Sequence, residues 1–111
     1  MATTVLNIIP RKEAEATQSA QYTAVGVKLI IDKFTATNTS SLNEQFSCNL
    51  VASGDTPGDD NLVLKEVTIR PGDTYMCPEL VGQSLEAEGY ISTLASTAGA
   101  ITISATGREI S

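Results

Sequence analysis

Apolar and polar residues alternate in residues 100–110, AITISATGREI, near the end of the chain. Because successive side chains of a strand point to opposite faces, such alternation predicts a strand with one buried face. The predicted inward and outward sets are Ile101, Ile103 and Ala105 against Thr102, Ser104 and Thr106. This pattern constrains the fold more than any other feature, because similar runs recur upstream.

Clusters of Gly, Pro, Asn, Asp and Ser divide the rest of the chain into short segments rich in β-branched residues. A shift of apolar phase near Lys65–Glu66 predicts a β-bulge. The predicted strands span residues 21–25, 27–39, 44–52, 61–70, 80–85, 90–97 and 100–110. Seven or eight short strands without a long helix predict an all-β fold, an antiparallel β-sandwich or jelly roll.

The composition favours the same fold class. The chain has 111 residues, enough for one domain and one core, and 14 Thr and 10 Ser, which suit solvent-facing strand positions. Aromatic residues make up only 5% and Trp is absent. We therefore expect a core built mostly of Val, Ile, Leu and Ala.

The first twenty residues differ from the remainder. A short apolar run, TVLNII, is stopped by Pro10 and followed by the polar stretch RKEAEATQSAQ. Residues 1–20 are therefore predicted as an N-terminal arm and residues 21–111 as the β-sandwich domain. Because Val5, Ile8 and Ile9 are unfavourable in water, the arm docks either as an edge strand with a short helical turn or onto another subunit.

The charge balance excludes several partners. Seven basic and thirteen acidic residues give a net charge of −6, which repels phosphate backbones and anionic membrane surfaces. No apolar run approaches the roughly 20 residues of a membrane helix. The N-terminus lacks the order of a secretory signal, so synthesis in a cytoplasm is expected.

Catalytic chemistry is disfavoured because the chain has no histidine, which excludes Ser-His-Asp, Cys-His and the common zinc hydrolase sites. We expect neither enzyme activity nor a cofactor. The acidic loop 53–61 lacks the spacing of an EF-hand, although cation binding there stays open. Cys48 and Cys77 are expected as buried free thiols, with one bridge between them left open.

Three tyrosines are candidate partner contacts, because exposed Tyr contributes strongly to interfaces. They are Tyr22, Tyr75 and Tyr90. The alternative for each is that the ring covers the edge of the core.

The order of segments adds a resemblance over residues 21–111. QYTAVGVKLIIDKFTATNTS resembles a strand ending in an Asn-Thr-Ser turn in small virion proteins of tailed phages. LVLKEVTIRPGDTYMCPELVGQSLEAEGYISTLAST, followed by ITISATGREIS, is similar to the second half of such proteins. The chain departs from them in Ala24-Val25-Gly26, where Val-Pro-Ala-Gly is usual, and in Glu88-Gly89, where Gly-Asp is commoner.

The family concerned is the capsid decoration proteins of tailed bacteriophages, also called staple or cement proteins. The resemblance implies an all-β, non-enzymatic protein on the outside of an icosahedral capsid, with the major capsid protein as partner and a homo-oligomer as a further option. The alternatives are a neck, tail or fibre-base β-module of a phage, or a carbohydrate-binding β-module.

Overall fold

Residues 2–111, which the computed structural model describes, form nine β-strands and one short 3-10 helix. The helix, Asp59–Asn61, lies between β4 and β5. The strands are β1 Thr3–Glu13, β2 Ser19–Thr23, β3 Lys28–Asn38, β4 Glu44–Val51, β5 Leu62–Ile69, β6 Thr74–Tyr75, β7 Ser84–Leu85, β8 Tyr90–Ala95 and β9 Ile101–Ile110.

The strands are arranged in two antiparallel sheets packed as a sandwich. The first sheet has the order β1-β9-β3, and the two-residue strands β6 and β7 both pair with the other edge of β3. The second has the order β2-β8-β4-β5. With β6 and β7 together filling one position, this is the order of a jelly roll, two interleaved Greek keys. The predicted fold class is confirmed.

The long pairing of β3 with β9 forms the centre of the first sheet. It runs from Lys28 opposite Ile110 to Asn38 opposite Ile101, with one register shift after Ile31. Along β9 the burial alternates from Ile101 to Gly107, as the sequence pattern predicts.

The core between the sheets is mainly aliphatic, as the composition predicts. Its two aromatic members are Phe34 of β3 and Phe46 of β4, both fully buried. Burial of an aromatic or aliphatic side chain of this size stabilises the fold by roughly 1.5–3 kcal/mol. Because one ring comes from each sheet, their contact helps hold the two layers together.

The bulge predicted near Lys65–Glu66 is confirmed. The pairing of β5 with β4 shifts register between Leu64 and Val67, and Glu66 has φ 50°. The backbone N–H of Glu66 donates instead to the hydroxyl of Ser47, at 2.8 Å. The bulge thus interrupts an outer edge of the second sheet.

The strand predicted over residues 80–85 is shorter than expected, because only Ser84–Leu85 is extended. Gly82, with φ 86°, turns the chain, and its N–H donates to the carbonyl of Ile31 at 2.7 Å. Leu80 is nevertheless fully buried, whereas Val81 is 49% exposed.

The segment predicted as an arm lies on the chain's own sheets. β1 pairs with β9, and residues 14–18 contain no helical turn. The N–H of Ala14 bonds Ile101 in the first sheet, and the carbonyl of Glu15 accepts from Ala95 in the second. The chain therefore crosses from the first sheet to the second here. β2 begins at Ser19, before residue 21, where the sandwich domain is predicted to begin.

Candidate partner-binding surfaces

β1 contains three of the six residues predicted to contact a partner, but it places their side chains in different environments. Val5 is 74% exposed, but Ile8 and Ile9 are buried in the core. The register shift between Leu6 and Ile9 explains the difference, because a bulge allows two successive side chains to point inward. In place of the predicted partner contact, Ile8 and Ile9 pack inside their own chain, and only Val5 remains on the surface.

Val5 also lies on a free sheet edge. Ala2 and Ser111 exchange both backbone hydrogen bonds, at 3.2 and 2.9 Å. Since bonding alternates along an antiparallel strand, Thr4 bonds towards β9, whereas Thr3 and Val5 direct their N–H and C=O groups away from the sheet. Such an edge is a template for an added strand.

Tyr22 covers the end of the core. It is partly buried, packs against the core, and donates its hydroxyl hydrogen to the carboxylate of Glu109. Burial, and then this bond, raise the pKa of Tyr22 well above its ordinary value. Because Tyr22 is on β2 and Glu109 on β9, the bond also joins the two sheets.

Tyr75 has a similar arrangement on β6. Its ring packs against the core, and its hydroxyl lies 2.6 and 2.7 Å from the two carboxylate oxygens of Glu79. This hydrogen bond raises the pKa of Tyr75 to about 12 and lowers that of Glu79. Tyr75 is half-buried, so part of its ring remains accessible.

Tyr90 is the least restrained of the three tyrosines. Its hydroxyl has one long contact, 3.4 Å to the carbonyl oxygen of Asp55. With Gln18 and Ser92 it borders an open depression on the outer face of the second sheet. The structure thus scatters the six predicted contacts and does not gather them at one site.

The outer face of the second sheet is largely covered by its own chain. Gln18 donates to Asn49 at 3.2 Å and to Ser92 at 2.8 Å. Asn49 in turn donates to Asn61 at 2.7 Å and to the carbonyl of Gly58 at 3.0 Å. Because these bonds engage the amide hydrogens of Gln18 and Asn49, the network fixes the β4–β5 loop on the sheet and leaves only shallow depressions.

Where an acidic side chain of the β4–β5 loop forms a hydrogen bond, its partner lies in the same loop. Asp55 accepts the N–H of Thr56 at 2.9 Å. Within residues 2–111, no three acidic, cysteine or histidine side chains are grouped closely enough to hold a metal ion. Over the same residues, no helical segment has the length and apolar character needed to cross a bilayer.

The outer face of the first sheet is different, since it presents rows of hydroxyl groups. Thr35 of β3 lies opposite Ser104 of β9, and Thr37 opposite Thr102. The hydroxyls of Thr37 and Thr74 are 2.9 Å apart. We call this the hydroxyl face: Thr35, Thr37, Thr74, Thr102, Ser104 and Thr106. The sequence predicts the β9 half, but only strand pairing places the β3 half beside it.

Basic side chains stand among these hydroxyls. Lys33 is exposed and pairs in register with Thr106. Arg108 contacts Asp32, with Nη2 3.0 Å from Oδ1. Lys28, at the start of β3, is 3.5 Å from Glu86. Within residues 2–111, no carboxylate lies within ion-pair distance of Lys33.

Neither cysteine is arranged as a nucleophile. Cys48 and Cys77 are free and fully buried. Burial raises the pKa of both thiols, that of Cys77 to about 12. Since the thiolate is the reactive form, both behave as small core residues at neutral pH.

No protein-family model matches the chain, and no curated protein sequence matches it. The solved structures that resemble it in fold include a structure of the infectious bursal disease virus Gx strain and the crystal structure of the infectious bursal disease virus VP2 subviral particle. Each matches with a TM-score of 0.51 and 12% sequence identity.

These matches cover 98% of this chain but only 33% and 32% of the two viral chains. The chain thus spans about a third of the length of each. At this identity the likeness is one of fold: nearly the whole chain is built like part of a protein from a virus particle.

Proposed function

We propose that this chain is a structural virion protein that binds the outer surface of an icosahedral phage capsid and stabilises contacts between major capsid subunits. The observation that carries the proposal is the jelly roll, matched over 98% of the chain by chains from viral particles. The finer part, a decoration protein like that of Salmonella phage epsilon15, rests on the resemblance of residues 21–111.

The surface of the molecule supports binding rather than catalysis. Its depressions are open, and the two thiols are buried. What it offers instead is a free strand edge at Thr3 and Val5 and two broad sheet faces. Strand addition and flat contacts of this kind suit a protein partner.

Binding of this chain would stabilise a capsid shell because binding and assembly are thermodynamically coupled. A protein that binds only the assembled shell contributes free energy each time a copy is bound, and the contribution grows with its free concentration. Copies that span a joint between capsid subunits oppose separation of those subunits. The net charge of −6 keeps the free protein soluble and away from DNA after its synthesis in the host cytoplasm.

The test mixes purified protein with shells of the encoding virus assembled without it. We expect saturable binding on the outside of the shells, at hundreds of copies per particle, counted by cryo-electron microscopy. A gain in the temperature at which the shells disrupt should accompany binding. Absence of binding at micromolar protein contradicts the proposal, whereas about six or twelve copies per particle identifies a neck or tail component.

A further inference from the structure

We infer that the hydroxyl face, with the basic residues around it, is the surface through which this chain docks on an acidic patch of its protein partner. The inference rests on the proposed function, under which that partner is the outside of the capsid shell. Under this inference the outer face of the first sheet makes the contact, and carboxylates of the partner receive it.

Charge is unevenly distributed between the two sheets. The strands of the first sheet carry five basic and three acidic residues: Arg11, Lys12, Lys28, Lys33 and Arg108 against Glu13, Asp32 and Glu109. Five positive and three negative charges sum to +2, whereas the strands of the second sheet, with Lys65 against Glu44 and Glu66, sum to −1 and the whole chain carries −6. Of the two sheets, the first is therefore the one whose charge suits an acidic partner.

The basic residues of the hydroxyl face differ in whether they have an acidic neighbour. Arg108 and Lys28 each have a carboxylate neighbour, at 3.0 and 3.5 Å. Lys33 has none among residues 2–111, and it is exposed beside Thr106 near the middle of the sheet. A carboxylate of the partner would form an ion pair with Lys33. Such charge pairs steer association and fix the register of the two surfaces.

The outer faces of the two sheets also differ in their exposure to solvent. Gln18 and the β4–β5 loop cover Asn49 and Ser92 on the opposite sheet face, whereas every side chain of the hydroxyl face is at least partly exposed. Ten paired residues of β3 and β9 extend for about 30 Å at 3.3 Å per residue. Threonine and serine hydroxyls both donate and accept hydrogen bonds, so the face can bind carboxylates and backbone groups alike.

The experiment compares two exposed strand lysines on opposite faces. Lys33→Glu reverses the charge of the hydroxyl face, and Lys65→Glu makes the same change on β5, in the other sheet. Binding of each to the undecorated shells is measured from low to high salt. We expect Lys33→Glu to weaken binding about fivefold or more at low salt, with a smaller loss at high salt, and Lys65→Glu to change it less than about twofold.

A second pair tests contact rather than charge. Thr35→Tyr places a bulky side chain in the middle of the hydroxyl face, and Thr68→Tyr does so on exposed β5. We expect the first to lose shell binding and the second to retain it. Thermal unfolding of all four variants shows whether each remains folded.

The outcomes separate the inference from the proposed function. If the unmodified chain binds shells but the variants of each pair bind equally, the hydroxyl face is not the docking surface, and the proposed function stands. The same follows if only the β5 variants lose binding. If the unmodified chain does not bind shells at all, both are overturned.

Discussion

The rings of Phe34 and Phe46, the two phenylalanines of the chain, lie 6.1 Å apart between centroids and are inclined by 39°. One belongs to the first sheet and the other to the second, and both are fully buried. Aromatic pairs in this range of distance add about 0.5–1.5 kcal/mol beyond their buried area.

Phe46→Ala should therefore lower the free energy of unfolding by about 3–5 kcal/mol, because the core cannot close around the cavity. Phe46→Leu should cost distinctly less. Urea denaturation measures both, and a cycle with Phe34→Leu should give a coupling of about 0.5–1.5 kcal/mol. Additive effects of the two substitutions would show that the rings do not interact.

Gly107 should not tolerate a side chain. A Cβ added there would lie 2.6 Å from the carbonyl oxygen of Ile30, in backbone that cannot easily move. We expect Gly107→Ala to destabilise the fold by about 1–3 kcal/mol through overpacking. Ser104→Ala, on the outward side of the same strand, should stay within about 0.5 kcal/mol. Equal midpoints in denaturant would contradict this assignment.

Glu44 should make stability depend on acid pH. Hydrogen bonds, first from Ser96 at 2.6 Å and then from Thr97 and Ser40, hold the pKa of Glu44 below its ordinary value of 4.5. The unfolded chain therefore binds the proton first as the pH falls. The stabilisation from Glu44 is complete above the ordinary pKa and is lost as the pH falls through the lower, folded value.

Thermal unfolding at several pH values checks this. Glu44→Gln should show a smaller loss of stability than the unmodified chain between about pH 5 and 3. It should not abolish the loss, because hydrogen bonds from Gln21 and Tyr75 also lower the pKa of Glu15 and Glu79. An identical curve for Glu44→Gln would contradict the prediction.

Substitutions of Val5 and Ile9, which both lie on β1, should affect shell binding and folding stability separately. Val5→Glu alters a side chain that is 74% exposed and adds a negative charge opposite Arg108, so the melting temperature should hold while affinity for the shell falls about fivefold, on the order of 1 kcal/mol. Ile9→Ala removes a buried side chain and should cost about 2–5 kcal/mol of folding free energy. Unchanged shell affinity of Val5→Glu would remove β1 from the proposed contact.

Both thiols should resist modification in the folded protein. Cys48 and Cys77 are buried, and burial raises their pKa values. With a chromogenic disulfide reagent at pH 8, reaction should be slow and should follow global unfolding, and two thiols should react at once in denaturant. Rapid reaction of either thiol in the native state would show that it is accessible.

Local pattern predicted most of the strands. The alternation along β9, the turn clusters and the phase shift at Lys65–Glu66 each depend on neighbours within a few residues, and each reappears in the structure. The strand expected over 80–85 is shorter than predicted, because Gly82 adopts a left-handed turn and the chain bonds Ile31 of β3 only through the N–H of Gly82 and the carbonyl of Gln83 before β7 begins. Apolar residues alone did not distinguish an extended strand from such a turn.

The candidate surfaces were less predictable. The same apolar composition that suggested partner contacts for Val5, Ile8 and Ile9 describes one exposed and two buried side chains, and a bulge decides which is which. Likewise, the sequence does not distinguish Lys33 from the other lysines, because strand pairing is what places it beside Thr106.

Composition and short-range periodicity are enough to predict the all-β class and the aliphatic core and to rule out histidine chemistry. The folded structure is needed to establish the order of strands, the covering of one sheet face and the exposure of the other. Those depend on contacts between residues far apart in the chain, such as Gln18 with Ser92 and Arg108 with Asp32, and local periodicity does not encode them.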